Sequence, residues 1–158
     1  MHSPWTDVKA EIIAQYRQQK ELAEAALAQV DDATFFARLR GGADEHTNSL
    51  AILVKHLSGN LRSRWTAFLT EDGEKADRQR PREFVSEPGD ERALLMESWD
   101  EGWRCCFAAL DALTDDDFAR TVFIRDEPHS VLKAILRNLL HATHHIGQID
   151  MLATALRP

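Results

Sequence analysis

Residues 50 to 68 read LAILVKHLSGNLRSRWTAF, and they carry the pattern that decides the fold. Apolar side chains return at three- and four-residue steps, the spacing that places them on one face of an α-helix. This stripe consists of Leu50, Val54, Leu57, Leu61, Trp65 and Phe68. The pattern predicts an amphipathic helix with one face in a core, capped at its start by Asp44 or Thr47.

Three further stretches repeat this pattern. The first begins at Ser3-Pro4, typical of a capping serine followed by proline at the first helical position, and its stripe extends to Val30. Another covers about residues 90–113, and the last starts near His129-Ser130 and continues almost to the end of the chain. The indole side chains expected in the core are Trp65, Trp99 and Trp103. Four long amphipathic helices most simply form an all-α four-helix bundle.

The connecting segments bear on how the helices are arranged. Residues 31–40 form a short connector before the Gly41-Gly42 break, and residues 70–89 form a long, charged loop that could cover a site. The basic run from Arg78 to Arg82 is expected to be a solvated part of it. Residues 121–124 read TVFI and predict a short extended or hairpin-like piece. Short loops alone would give an up-down-up-down bundle, whereas the long loop allows a crossover.

Composition narrows the class of protein. We expect residues 1–158 to form a single domain, because a chain of this length can bury a stable core without disulfides or structural metals. The net charge of −7 argues against binding to nucleic acid or to an anionic membrane surface. The two cysteines are the adjacent Cys105 and Cys106, so at least one is expected in the core. With no apolar run of spanning length and no leader-like start, a cytoplasmic protein is predicted.

The clearest chemical signal is a pair of histidines in the last helix. His141 and His145 are four residues apart, so their rings share one helix face and can converge on a metal ion. Catalytic metal sites usually take three protein ligands, and His56, at the edge of the stripe on the second helix, is the best third candidate. His144 is turned away from the core and is a weaker candidate. His2, His46 and His129 are expected to be surface or capping residues, with His129 a candidate for the mouth of a pocket.

Two segments, NSLAILVKHLSGN at residues 48–60 and HATHHIGQ at residues 141–148, resemble the DinB-like (YfiT-like) superfamily. Residues 69–75 and 127–130 are similar to one branch of it. The resemblance implies a four-helix bundle with an up-down-down-up crossover between the second and third long helices. It also implies a divalent metal site with His56, His141 and His145 as ligands. Members are described as metal-dependent hydrolases or thiol S-transferases, and many are homodimers.

The residues themselves allow a chemical expectation beside this resemblance. Three neutral imidazoles leave the charge of a metal ion uncompensated, which acidifies a bound water or thiol. Zinc, nickel and iron fit such ligands best, and copper is compatible. Asn60 and Gln148 could orient ligands or substrate, and Gly147 could let a facing helix approach closely. No carboxylate is placed convincingly as a general base.

Two functions of different classes follow from these expectations. The leading one is a metal-dependent enzyme that transfers a low-molecular-weight thiol or hydrolyses a small molecule, acting as a homodimer. The alternative is a non-catalytic bundle that binds a metal or a small ligand. In a third interpretation the histidines bind no metal and only pack against their neighbours.

Overall fold

A computed structural model of the 158-residue chain describes residues 4–39 and 48–157. Within these ranges the chain is mostly helical and contains one small two-stranded sheet. The mostly helical content agrees with the prediction of an all-α protein. The helices are α1 (Pro4–Leu27), α2 (Asp32–Phe36), α3 (Leu50–Trp65), α4 (Arg92–Ala112) and α5 (Val131–Leu156). The strands are β1 (Thr121–Ile124) and β2 (Glu127–Ser130).

Side-chain caps fix where two of the long helices begin. Ser49 caps α3, because its hydroxyl accepts a 3.2 Å hydrogen bond from the backbone N–H of Ile52. The caps predicted for this helix, Asp44 and Thr47, lie outside the described residues, as does Ser3 before α1. Ser130 caps α5 in the same way, as its sequence position indicates.

Two helices end earlier than their apolar stripes predict. α1 ends at Leu27, and Arg92 donates hydrogen bonds to the carbonyl oxygens of Leu27 (2.8 Å) and Val30 (2.9 Å) where the chain leaves the helix. α3 ends at Trp65 rather than Phe68, because Ala67 adopts a φ of 48° that turns the chain out of the helix. The apolar stripe continues past the helix end in both cases, so periodicity alone overestimates helix length.

The core lies between the long helices, where α3 packs most extensively against α4 and α1 packs against α5. Gly102 allows α4 to lie close to α3, because a Cβ atom at this position would lie 3.0 Å from the backbone oxygen of Ser58. At Gly147, by contrast, a Cβ would meet no atom of residues 4–39 and 48–157 within 4 Å, so these residues do not form the close helix approach expected there. The predicted core side chains Trp65, Trp99 and Trp103 are all buried. Of the two cysteines, at least one of which was expected in the core, Cys106 is buried.

A buried polar network ties three helices together beside the site. The Tyr16 hydroxyl lies 3.0 Å from the carbonyl oxygen of Ile135 and 3.1 Å from Oδ1 of Asn138. Trp65 Nε1 donates to the same Oδ1 at 2.9 Å, and Asn138 Nδ2 donates to Oδ1 of Asn60 at 2.9 Å. Because each group is buried and paired, the network fixes the relative positions of α1, α3 and α5.

The extended piece predicted at residues 121–124 is confirmed as β1, which pairs antiparallel with β2. Arg125 and Asp126 form the two-residue turn, both with positive φ (56° and 62°), as type I′ hairpin turns require. The carboxylate of Asp72 accepts hydrogen bonds from the backbone N–H groups of Arg125 (2.8 Å) and Asp126 (2.7 Å). The long connector between α3 and α4 therefore holds the hairpin tip in place.

None of the helices in residues 4–39 and 48–157 combines the length and the apolar character that crossing a lipid bilayer requires.

Candidate metal centre

Three histidines from two helices meet at one point beside the core. α3 contributes His56 and α5 contributes His141 and His145, and one nitrogen of each ring lies within 4.8 Å of the others. The ring centroids are 5.1 Å apart for His56 and His141, 4.7 Å for His56 and His145, and 4.6 Å for the pair on α5. The structure thus brings together the three residues that the sequence singled out.

Hydrogen bonds fix the tautomers of two of these rings. Nδ1 of His56 donates to the carboxylate of Glu83 at 2.8 Å, and Nδ1 of His145 donates to Oε1 of Gln148 at 2.8 Å. In the neutral form of each ring, Nε2 is therefore the nitrogen that carries the lone pair. Nε2 of His56 lies 3.2 Å from Nε2 of His141. Nδ1 of His141 is buried and has no hydrogen-bond partner among the described residues.

The surroundings keep the two α5 imidazoles uncharged. Burial is the largest cause that lowers the pKa of His141 from 6.5 to about 3, and the neighbouring histidines and arginines lower it further. Burial also lowers the pKa of His145, although its hydrogen bond to Gln148 opposes the shift. Both rings are therefore neutral near pH 7, which is the protonation state that ligates metals.

A family model described as "Protein of unknown function (DUF1572)" matches residues 3–158. The chain belongs to the DUF1572 family. DUF1572 is a DinB-like family, which agrees with the resemblance in residues 48–60 and 141–148. No curated protein and no solved structure is significantly similar to the chain.

In this DUF1572 chain the most important site residue that the sequence did not reveal is Glu83. It lies in a short 3-10 helix, Arg80–Phe84, within the connector that was predicted to be only a loop. Its carboxylate is buried between the imidazole of His56 and the guanidinium of Arg78, which donates two 2.8 Å hydrogen bonds to it. No periodic pattern distinguishes Glu83 from the other acidic residues of the connector.

The charge of Glu83 is stabilised by these partners. Burial by itself raises the pKa of Glu83, but the hydrogen bonds from His56 and Arg78 outweigh burial, and the pKa falls below its ordinary value. The prediction that the basic run is solvated is wrong for Arg78, whose side chain is only 4% exposed. Arg78 is buried because Glu83 and Glu74 both pair with it.

Glycine at position 59 makes room for this arrangement. A Cβ atom on Gly59 would overlap Oε1 of Glu83 and lie 2.9 Å from its Cδ. The ring of Phe84, the next residue, packs against the ring of His56 with centroids 4.6 Å apart. A helix glycine therefore allows the connector to lie directly against α3 and to reach His56.

The other residues considered in the sequence analysis differ in whether they contact the histidine cluster. Gln148 contacts a histidine of the cluster, whereas the side chain of Asn60 pairs with Asn138. His144 is exposed and not part of the cluster. The prediction that His129 is a surface or capping residue is wrong, because it is buried in β2 and its Nε2 accepts a 2.8 Å hydrogen bond from Arg137. His2 and His46 lie outside the described residues.

Proposed function

We propose that this protein binds a divalent metal ion through His56, His141 and His145 and uses it as an enzyme on a small molecule. The reaction is transfer of a low-molecular-weight thiol or hydrolysis. The observation that carries the proposal is the convergence of three imidazoles from two helices. In two of them, His56 and His145, Nδ1 is hydrogen-bonded to a protein oxygen.

The donor set fits a metal ion. Two imidazole nitrogens bound tetrahedrally to one zinc at about 2.05 Å stand about 3.3 Å apart. The separation of the Nε2 atoms of His56 and His141 is 3.2 Å. Metal-ligating histidines usually donate their other N–H to a carboxylate or carbonyl oxygen, and Glu83 and Gln148 supply such oxygens here. Zinc, nickel and iron are the ions that this nitrogen-only set suits best.

When bound, such an ion supplies Lewis acidity that lowers the pKa of a water or a thiol. Glu83 holds the ring of His56 and, through its charge, raises the basicity of that ligand. Gln148 holds the ring of His145 in the same way. His56 and His141 also line a polar cavity of about 190 Å³, in which a small substrate would lie beside the cluster.

A non-catalytic bundle that binds a metal or a small ligand is the alternative function. A closed, four-ligand shell would favour a structural metal, whereas a three-histidine site with an open position favours catalysis. Among the described residues, the cluster contains three histidines and no cysteine or carboxylate as a fourth ligand. If no metal binds, Nε2–H of His141 instead donates to Nε2 of His56.

Elemental analysis of chelator-washed protein reloaded with zinc, nickel or iron tests the metal site. We expect one ion per chain in the wild type and a loss of tight binding in His56→Ala, His141→Ala and His145→Ala. His144→Ala is the matched control, because it removes an imidazole from the same helix but outside the cluster. Equal stoichiometry in all four variants, or none in the wild type, would refute the site.

A test of catalysis follows from a positive result. The loaded wild type is assayed with thiols and small electrophiles, and then with hydrolytic substrates. Activity that disappears in His145→Ala together with the metal supports the enzyme, and full metal loading without any turnover supports the binding module.

We propose the finer topology and assembly as well. The long helices form a four-helix bundle, supported by packing of α1 on α5 and α4 and of α3 on α4 and α5. Residues 66–91 then provide the crossover of an up-down-down-up arrangement. We also propose a homodimer, supported by three exposed apolar side chains, Leu136, Leu140 and Met151, on one face of α5. We also propose a cytoplasmic location, because the adjacent Cys105 and Cys106 cannot supply the disulfide framework of a small secreted domain.

A further inference from the structure

The cavity beside the histidines has an unusual charge. Besides His56 and His141, it is lined by five arginines, Arg64, Arg78, Arg80, Arg125 and Arg137. No acidic side chain lies among its described lining residues. The protein as a whole carries a net charge of −7, so this concentration of guanidinium groups runs against its overall charge.

Three of these arginines pair with acidic residues that do not line the cavity. Glu74 pairs with Arg64 at 3.0 Å, with Arg78 at 3.2 Å and with Arg125 at 3.2 Å. Glu83 pairs with Arg78 a second time. Two carboxylates therefore pair with three guanidinium groups. These ion pairs fix Arg64, Arg78 and Arg125 in the cavity wall.

The other two arginines have no acidic partner among the described residues. Arg80 lies over the ring of Phe84, 5.2 Å from its centroid. Arg137 donates one N–H to Nε2 of His129, whose Nδ1 donates to the carbonyl oxygen of Glu127 at 2.9 Å. A guanidinium has five N–H donors, so both groups retain donors for a ligand.

We propose that this cavity binds a small oxyanion, a carboxylate or phosphate group of the substrate, through Arg80 and Arg137. The planar fork of a guanidinium matches both groups, and the fixed arginines add to the positive field. The volume of about 190 Å³ is below the roughly 300–1,000 Å³ of pockets for whole drug-sized ligands, so the cavity holds one charged group of a larger molecule or a small anion.

This inference names the substrate class of the proposed metal site and rests on the proposed function for its catalytic meaning. Binding of the anion itself needs no metal, because arginines supply the contacts. The two ideas can therefore fail separately, and the experiment is done on metal-free protein for that reason.

Calorimetric titration of chelator-washed protein with inorganic phosphate and with succinate, at fixed ionic strength, measures the binding. The uncharged diamide of succinate is the ligand control. The variants are Arg80→Gln, Arg137→Gln and the double substitution, each checked for retained helix content by circular dichroism. Arg104→Gln is the protein control, because it removes the same charge from an arginine on α4 that is 73% exposed and outside the cavity.

We expect the wild type to bind at least one of the two anions and not the diamide. Each single substitution should weaken binding about ten-fold, the loss expected for one charge-assisted interaction, and the double should remove it. Arg104→Gln should bind as the wild type does. Preference for phosphate would identify a phosphate-bearing substrate, and preference for succinate a carboxylate.

Absence of binding by the wild type, or unchanged binding by the double variant, would overturn the inference. Metal stoichiometry of the same proteins separates this failure from that of the proposed function. Anion binding without metal binding would support the anion site and refute the metal enzyme. Metal binding without anion binding would support the metal site and refute the anion site.

Discussion

Nδ1 of His56 donates a 2.8 Å hydrogen bond to the carboxylate of Glu83, although the two residues are 27 positions apart and lie on different elements. Arg78 holds the opposite side of that carboxylate, so the imidazole, the carboxylate and the guanidinium form one buried chain of charge-assisted contacts. This chain fixes which nitrogen of His56 is free to bind a metal.

Glu83→Gln should lower metal affinity by about 10- to 100-fold without unfolding the protein, because the ligand ring loses a charged acceptor but keeps its place on α3. Competition with a chromophoric chelator measures the affinity. Glu87→Gln is the matched control, since Glu87 lies in the same connector but pairs with Lys55 and Arg82. Equal affinities for Glu83→Gln and the wild type would show that this hydrogen bond does not tune the site.

Gly59→Ala should reduce both stability and metal affinity, because the added Cβ overlaps the Glu83 carboxylate and displaces it from His56. In a Glu83→Ala background the obstacle is gone, and the same substitution should stabilise the protein by about 1 kcal/mol through helix propensity. Thermal and denaturant unfolding of the four proteins give the comparison. A change of the same sign in both backgrounds would rule out an effect transmitted through Glu83.

Asp72→Asn should destabilise the protein by about 1 kcal/mol at neutral pH, since Asp72 accepts three backbone hydrogen bonds that include the hairpin tip. Burial raises the pKa of Asp72, but these hydrogen bonds outweigh burial and lower it from 3.8. A carboxylate whose pKa is lowered in the folded protein stabilises the fold at pH values above its ordinary pKa. This stabilisation is lost as the pH falls through the folded-state pKa.

The difference in unfolding free energy between wild type and Asp72→Asn should therefore be constant above about pH 5 and shrink below about pH 4. Urea unfolding at a series of pH values measures it. A difference that grows on acidification would contradict the assignment.

The wild type should be a dimer in solution, and Leu140→Glu should make it a monomer, because Leu140 is 71% exposed on the apolar face of α5. Light scattering after size-exclusion chromatography gives the mass. Leu94→Glu is the control, with a leucine 50% exposed on α4. A monomeric wild type would refute the proposed dimer, and a dimer that persists in Leu140→Glu would place the interface away from this face of α5.

The parts of the site that could be predicted are those carried by regular helices. The spacing of His141 and His145 fixes their common face, and the stripe on α3 places His56 at its edge, so two helices packed side by side bring all three together. The capping serine of α5 and the buried tryptophans follow from the same local rules. Helix ends were less predictable. The end of α3, for example, depends on the positive φ of Ala67, which the spacing of apolar residues does not indicate.

The parts that could not be predicted come from the connector and from long-range packing. Glu83 and Arg78 lie in a segment without periodicity, and their burial depends on Gly59 of α3 and on Glu74. His129 was misjudged for a similar reason, because its burial is produced by a hairpin and by Arg137 of α5. None of these pairings has a spacing rule that a reader of the sequence could apply.

The sequence by itself determined the long helices, their apolar faces and the histidines at the edges of those faces, because helical geometry repeats every few residues and is set by local chemistry. Only the tertiary structure decided the charge around the histidines. Arginines from α3, the connector, the hairpin and α5 meet at one cavity, and Glu83 folds back onto His56. Such contacts join residues far apart in the chain, and they exist only once the helices have packed and the connector has been laid against them.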